Sequence, residues 1–297
     1  MRVNTNIVPD LLAALSQAQE AENTALEQMS TGKSVNLPSD NPGAAAASVQ
    51  NQAQSSEVDQ YSQNVTSVLG MAQTANSALS AVVTQLNQAV SLGVEGGNGT
   101  LSSADLQSLA TQVQSILTSV VSQANTSYQG AYVFGGTANS GVPFTANASS
   151  SDGYQYNGNS GVNTVAVGDG LNVSVNVPGD QIFQQAGSDV LGSLQQLVTA
   201  LQGGSATAIS SATDQISSAL NYVSQQQTFY GDTINQLNSQ ETFLQQETVN
   251  LTSQETNLVG ADEAQAATNY AQAQTDYNAA LAATSRAVPS NLFDYLQ

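Results

Sequence analysis

The sequence predicts a mainly α fold with a small β insertion: an elongated antiparallel helical bundle or coiled coil formed by both chain ends, with a β domain inserted between its halves. Three observations carry this expectation. Ile209, Ile216, Val223, Tyr230, Leu237, Leu244, Leu251 and Leu258 recur every seven residues. Apolar positions in the first third alternate in steps of three and four. Between about Tyr128 and Phe183 glycines cluster and the period falls to two.

The first helix carries Leu11, Leu15, Ala18, Glu22, Ala25 and Met29 at coiled-coil spacing, and Gly32 is placed to end it. Pro38 and Pro42 hold the connection extended, with Ser39 and Asp40 as candidate N-caps. A second helix is expected from near Gly43 to about Gly93, keeping the alternation from Val58 through Val65, Ala72, Leu79 and Leu86 to Ala89. The glycine-rich stretch 93–100 reads as a turn. Ser102 and Asp105 resemble a capping box opening a third helix, with Leu106, Leu109, Val113, Ile116 and Val120 on one face.

In the insertion, Leu171, Val173, Val175 and Val177 alternate with polar residues, as a half-buried strand does. Residues 164–167 read as its hairpin partner across Gly168-Asp169-Gly170, and Asn157-Gly158 after Tyr154 and Tyr156 reads as a second hairpin turn. Helices resume after Gly187, with a short one ending at Gly203-Gly204. The seven-residue track then runs beside a companion track that is only partly apolar (Thr213, Leu220, Gln227, Ile234, Glu241, Thr248, Glu255). Past Gly260 a new stripe is expected on Ala267, Tyr270, Tyr277 and Leu281, followed by the tail segment Asn291-Leu292-Phe293-Asp294-Tyr295-Leu296.

Composition excludes whole classes of function. Lys and Arg number 3 against 22 Asp and Glu, a net charge of −19, so no basic face exists for nucleic acid or anionic lipid. Cysteine and histidine are both absent, which removes thiolate chemistry, the commonest catalytic base and the commonest metal ligand. No catalytic site, cofactor or metal is expected, and no membrane insertion, since no run approaches the ~18 apolar residues of a span. The N-terminus shows no cleavable signal peptide. Only 8% of residues are charged, far below the ~25% of ordinary globular domains, which suits a polar fibre or exported protein better than a cytosolic enzyme.

Local imitations of active sites fail on spacing. Gly32-Lys33-Ser34 mimics the end of a phosphate loop, but Glu27 stands where the motif needs glycine. Asp262 and Glu263 are adjacent on a helix and point apart, while Asp169 and Asp180 sit beside turn glycines. The two ends are more informative. Each bears one narrow apolar stripe, too little to order some forty residues unaided, so the missing burial must come from neighbouring subunits.

The segment 29–42, Met-Ser-Thr-Gly-Lys-Ser-Val-Asn-Leu-Pro-Ser-Asp-Asn-Pro, resembles the stretch after the first helix of flagellin-like axial proteins. The segments 97–110, 132–137 (Tyr-Val-Phe-Gly-Gly-Thr), Pro143-Phe144, 179–183 and 291–296 are similar, in the same order, to the hook–filament junction members of that family. The resemblance implies a structural subunit of the bacterial flagellum, extracellular and exported by the flagellar type III route without a cleaved signal peptide. It implies as partners other copies in a ring, the first hook-associated junction protein, flagellin, and a cytoplasmic export chaperone. It also implies a terminal inner-tube domain (1–40 and 256–297), a central helical bundle (41–130 and 184–255) and an outward β domain (131–183). The expected subunit interface is Leu11, Leu15, Met29, Ala267, Tyr270, Tyr277, Leu281, Leu292, Phe293 and Leu296. The rival readings are a short flagellin and a secreted surface-binding protein acting through the β domain.

Overall fold

A computed structural model describes residues 7–150 and 152–287. Its elements in chain order are α1 (Ile7–Thr31), α2 (Pro42–Gly97), α3 (Ser103–Ala124), β1 (Ser127–Tyr128), β2 (Ala131–Tyr132), β3 (Phe144–Ala146), β4 (Tyr154–Tyr156), β5 (Thr164–Gly168), β6 (Leu171–Ser174), α4 (Gly179–Phe183), α5 (Val190–Gly203), α6 (Ala206–Val259) and α7 (Glu263–Ala287). The fold is mainly helical with a small β insertion, as expected. The chain divides into two compact units, residues 1–58 with 246–297, and residues 59–245.

In the terminal unit, α1 stops where the sequence places the stop. Gly32 takes a left-handed φ of +67° and its N–H closes on the Gln28 carbonyl at 3.0 Å. The next helix is capped by neither Ser39 nor Asp40. Pro42 occupies the first helical position, so the residue before it becomes the cap, and Asn41 Oδ1 accepts from the Ala44 N–H at 3.1 Å. Asp40 instead ties the connector, accepting from the N–H groups of Asn36 at 3.0 Å and Leu37 at 2.8 Å. Those bonds hold its carboxyl below the usual carboxylate range. Asp262 caps α7, accepting from Ala264 and Gln265 N–H at 2.9 and 3.1 Å. The connectors before α2 and before α7 are latched together. Ser34 N–H reaches the Val259 carbonyl at 2.7 Å, and Ala261 N–H reaches that of Gly32 at 2.9 Å. With the end of α1 and the start of α7 joined there, the two helices pair antiparallel.

The central unit holds the core. Leu79, Val82 and Leu86 of α2, Val113 and Leu117 of α3, Leu194 and Leu197 of α5, and Ile209, Ile216 and Val223 of α6 form one continuous buried cluster. The capping box of α3 is present, with the side chains of Ser102 and Asp105 each bonded to the other's backbone N–H. The expected turn at Gly93 is absent, because α2 continues to Gly97. A Cβ on Gly93 would stand 2.2 Å from Thr213 Oγ1, so this glycine serves close approach of α2 to α6 rather than a turn.

Three antiparallel hairpins make up the β segment: β1–β2, β3–β4 and β5–β6. The last is the predicted one, with Val165 opposite Val173 and Gly170 at φ +66° in the turn. Asn157-Gly158 makes no hairpin. Tyr154–Tyr156 pairs backwards with Phe144–Ala146, and the Tyr156 hydroxyl lies 2.9 Å from the Phe134 carbonyl, fixing the chain after it to a loop. Nor is the insertion's interior separate from the helices. Phe183 meets the rings of Phe134 and Phe144 edge-on at 5.3 and 5.5 Å, and all three belong to the helical core cluster. Two amides pin β5 to helices: Asn64 to the Ala166 carbonyl at 2.8 Å and Gln240 to that of Val167 at 2.9 Å.

Candidate assembly surface

Burial is distributed unevenly between the units. The central unit seats Leu, Ile, Val and Phe side chains at zero exposure. Among the described residues of the terminal unit, the buried hydrophobics are Ala25, Leu251, Val259, Ala266 and Ala273. Alanine contributes little on burial compared with the ~1.5–3 kcal/mol of a buried Leu. Meanwhile Leu12, Leu26, Met29, Leu37, Val49, Val249 and Leu281 of that unit are each more than two-fifths exposed. On the terminal helices Leu12, Leu26, Met29 and Leu281 therefore stay on the outside.

The α1–α7 seam is built from Leu11, Leu15, Ala18, Glu22 and Ala25 facing Ala266, Tyr270, Ala273, Tyr277 and Ala280. Both sets alternate by three and four, which keeps small and half-buried residues along one line. Leu11, Leu15, Tyr270 and Tyr277 are half-buried in that seam. Met29 would be next on α1, but it is 41% exposed, and Gln28 turns in to donate to the Ser34 carbonyl at 3.4 Å. On α7 the inward stripe runs through Ala266 and Ala273, one register from the expected track, and Ala267 and Leu281 face outward, Leu281 at 48% exposure. Tyr270 and Tyr277 of the expected track lie in the seam, while the small Ala266, Ala273 and Ala280 that share it carry no signal in a pattern keyed to large apolar residues. Leu292, Phe293 and Leu296 lie outside the described residues.

Below Val58 the line between α2 and α6 turns polar. Ser48 and Asn51 are buried at 6% and 5% exposure. The Glu255 carboxylate accepts from Ser48 Oγ at 2.6 Å, Asn51 Nδ2 at 3.0 Å and Gln52 Nε2 at 3.0 Å. The Ser48 bond, with the Gln52 and Asn51 bonds and the Lys33 charge after it, holds the Glu255 carboxyl below its ordinary value. No group of three or more acidic residues is placed to hold a metal, and no helix is long and apolar enough to cross a membrane, among the described residues.

The bacterial flagellin N-terminal helical region matches residues 3–139, and the bacterial flagellin C-terminal helical region matches residues 213–296. Flagellar hook-associated protein 3 of Salmonella typhimurium is 38% identical over 149 residues, 48% of this chain and 46% of that protein. The protein of the same name from Escherichia coli K12 is 41% identical over 123 residues, 40% of this chain and 38% of its own length. These alignments span less than half of either relative. The crystal structure of Bacillus cereus FlgL superposes with a TM-score of 0.61 at 25% identity, covering 70% of this chain and 99% of that one. With both helical regions matched in order at the two ends, the chain belongs to the flagellin family.

Proposed function

We propose that this chain is a structural subunit of the extracellular bacterial flagellum at the hook–filament junction, and carries out no catalysis. The observation that carries the reading is the terminal unit, where three of the five buried hydrophobics among the described residues are alanine while Leu12, Leu26, Leu37, Val49, Val249 and Leu281 face out. Such a unit gains its stability by packing on other helices. Its neighbours are other copies in a ring, the first hook-associated junction protein on one side and flagellin on the other. Before export, a cytoplasmic chaperone covers the same exposed helices.

In this reading, residues 1–40 and 256–297 are the inner-tube domain, 41–130 and 184–255 the central bundle, and 131–183 the outward β domain. Met29, Ala267 and Leu281 meet neighbouring subunits from the outer faces of α1 and α7. Leu11, Leu15, Tyr270 and Tyr277 share their half-exposed edges between the seam and a neighbour. Leu292, Phe293 and Leu296 complete the interface from the tail. The likeness to two proteins named hook-associated protein 3 supports the junction over the filament itself.

A deletion strain tests this. Normal hooks lacking filaments, with flagellin shed into the medium, are expected. Loss of filaments without shed flagellin overturns the junction role and favours the second reading, a short flagellin, which the two matched helical regions support equally.

A further inference from the structure

Beside the latch that joins the two connectors of the terminal unit lies an open groove of about 400 Å³. Val35, Leu37, Val49 and Val259 give it apolar walls, Gln52 an amide, and Lys33 a cation at the rim. Leu37 and Val49 are 56% and 68% exposed, so the walls are uncovered. Lys33 is the only Lys or Arg between residues 3 and 285 of a chain with net charge −19. Any acidic segment of this protein that seeks a cation in that whole stretch can find it only here.

We infer that this groove receives the tail segment Leu292-Phe293-Asp294 of a second copy of the chain. The fit is chemical: Leu292 and Phe293 suit the valine and leucine walls, and Asp294 pairs with Lys33. The other end of the chain is a poor match, since Arg2 would bring a second cation to Lys33. Geometry selects the second copy over the chain's own tail. α7 starts beside the latch and runs 25 residues away from it, which carries its far end about 36 Å from the groove. The seven residues from Ala287 to Asp294, fully extended, reach back about 25 Å at most. The chain's own Leu292 and Phe293, no more than about 18 and 22 Å along from Ala287, therefore fall short of the groove walls.

This inference rests on the assembly reading and adds a particular contact to it. The absence of native cysteine makes cross-linking unambiguous. Two size-tagged full-length variants, Lys33→Cys and Asp294→Cys, are co-expressed in a strain deleted for the gene, and cells are oxidised before non-reducing electrophoresis. A disulfide-linked heterodimer, several-fold above that from a Gln129→Cys and Asp294→Cys pair, is expected. Normal filament attachment with no heterodimer overturns the groove contact and leaves the junction reading standing. A cross-link formed within a single doubly substituted chain, with none between chains, overturns the second-copy assignment. Failure of the unmodified chain to restore filaments overturns the junction reading itself. As a second readout, Lys33→Glu should reduce motility several-fold and Lys33→Glu with Asp294→Lys should restore it; equal loss in both counts against the pairing.

Discussion

Ser48 Oγ on α2 donates to the Glu255 carboxylate on α6 at 2.6 Å, the tightest of three bonds that converge on this one acid. Asn51 adds a second tie, its Nδ2 donating to the Leu251 carbonyl at 3.0 Å. A unit with so little apolar burial leans on this cluster for the register of α2 against α6. A polar group buried at such a seam penalises slipped pairings more than it adds to total stability. Glu255→Ala strips acceptors from three side chains, two of them buried, and should destabilise the α2–α6 pairing by about 1–3 kcal/mol. Hydrogen exchange should accelerate over residues 42–58 and 246–259 while the α3–α5 core keeps its protection. Unchanged exchange there would remove Glu255 from this role.

The same acid sets a pH dependence. The Glu255 carboxyl is depressed in the folded chain, from an ordinary 4.5, by Ser48 first and then by Gln52, Asn51 and Lys33. A depressed acid contributes stability that is present above its unfolded value and lost as the pH falls through its folded one. The terminal unit should therefore weaken from about pH 4.5 downward, and Glu255→Gln should flatten that slope. Asp189 runs the other way, its carboxyl raised chiefly by burial, so its cost is relieved on acidification. With three cations and no histidine, charge repulsion at low pH adds little. Helical circular dichroism of the two chains between pH 6 and pH 2 provides the comparison, and identical curves would count against the Glu255 contribution.

Tyr230 contributes to the alkaline limit of the central unit. Burial pushes its phenol up to about 12 from 10, and its oxygen accepts the Val177 N–H at 3.0 Å. A raised phenol contributes stability that is complete below the unfolded value and lost as pH climbs through the folded one. Two pKa units correspond to roughly 3 kcal/mol lost between pH 10 and 12. Tyrosinate absorbance should show two late-titrating phenols, Tyr230 and Tyr156, the latter also pushed up to about 12 chiefly by burial, and one of the two should vanish in Tyr230→Phe. That variant should also lose about 1–3 kcal/mol at neutral pH, since the Val177 N–H loses its acceptor.

Gly93 and Thr213 form a steric pair. Gly93→Ala places a methyl 2.2 Å from Thr213 Oγ1, and should cost about 1–3 kcal/mol by overpacking despite the higher helix propensity of alanine. Thr213→Ala should recover most of that loss in the double variant. Urea denaturation of the four chains measures the coupling, and additive effects would place the constraint elsewhere.

Leu281→Asp tests the outward face of α7. Leu281 is 48% exposed in the single chain, so the charge leaves the chain's own core untouched. The variant should retain wild-type helicity and fail to support filament attachment. Normal attachment would mean that this face meets no neighbour.

Much of this architecture was legible in the sequence. The seven-residue track from Ile209 to Leu251 is buried throughout, the stop at Gly32 and the capping box at Ser102 form as written, and the β5–β6 hairpin lies where its alternation places it. These are local features, fixed by backbone conformation, helical period and turn chemistry within a few residues. The exclusion of thiol and imidazole chemistry was equally plain, since cysteine and histidine are missing.

Tertiary structure decided everything that depends on a distant partner. Gly93 looks like a turn until Thr213 appears beside it. Asn157-Gly158 looks like a hairpin until Tyr156 finds the Phe134 carbonyl. Tyr270 and Tyr277 marked part of the inward face of α7, but the alanines that share it are small enough to be hidden from a reading keyed to large apolar residues. Glu255 lies 207 and 204 positions from Ser48 and Asn51, and no period in either helix announces the three as one cluster. The two helical ends could be read from the sequence as needing partners. Only the folded chain showed that Leu12, Leu26 and Leu281 stay outside while Leu11 and Leu15 share the seam with alanines and tyrosines.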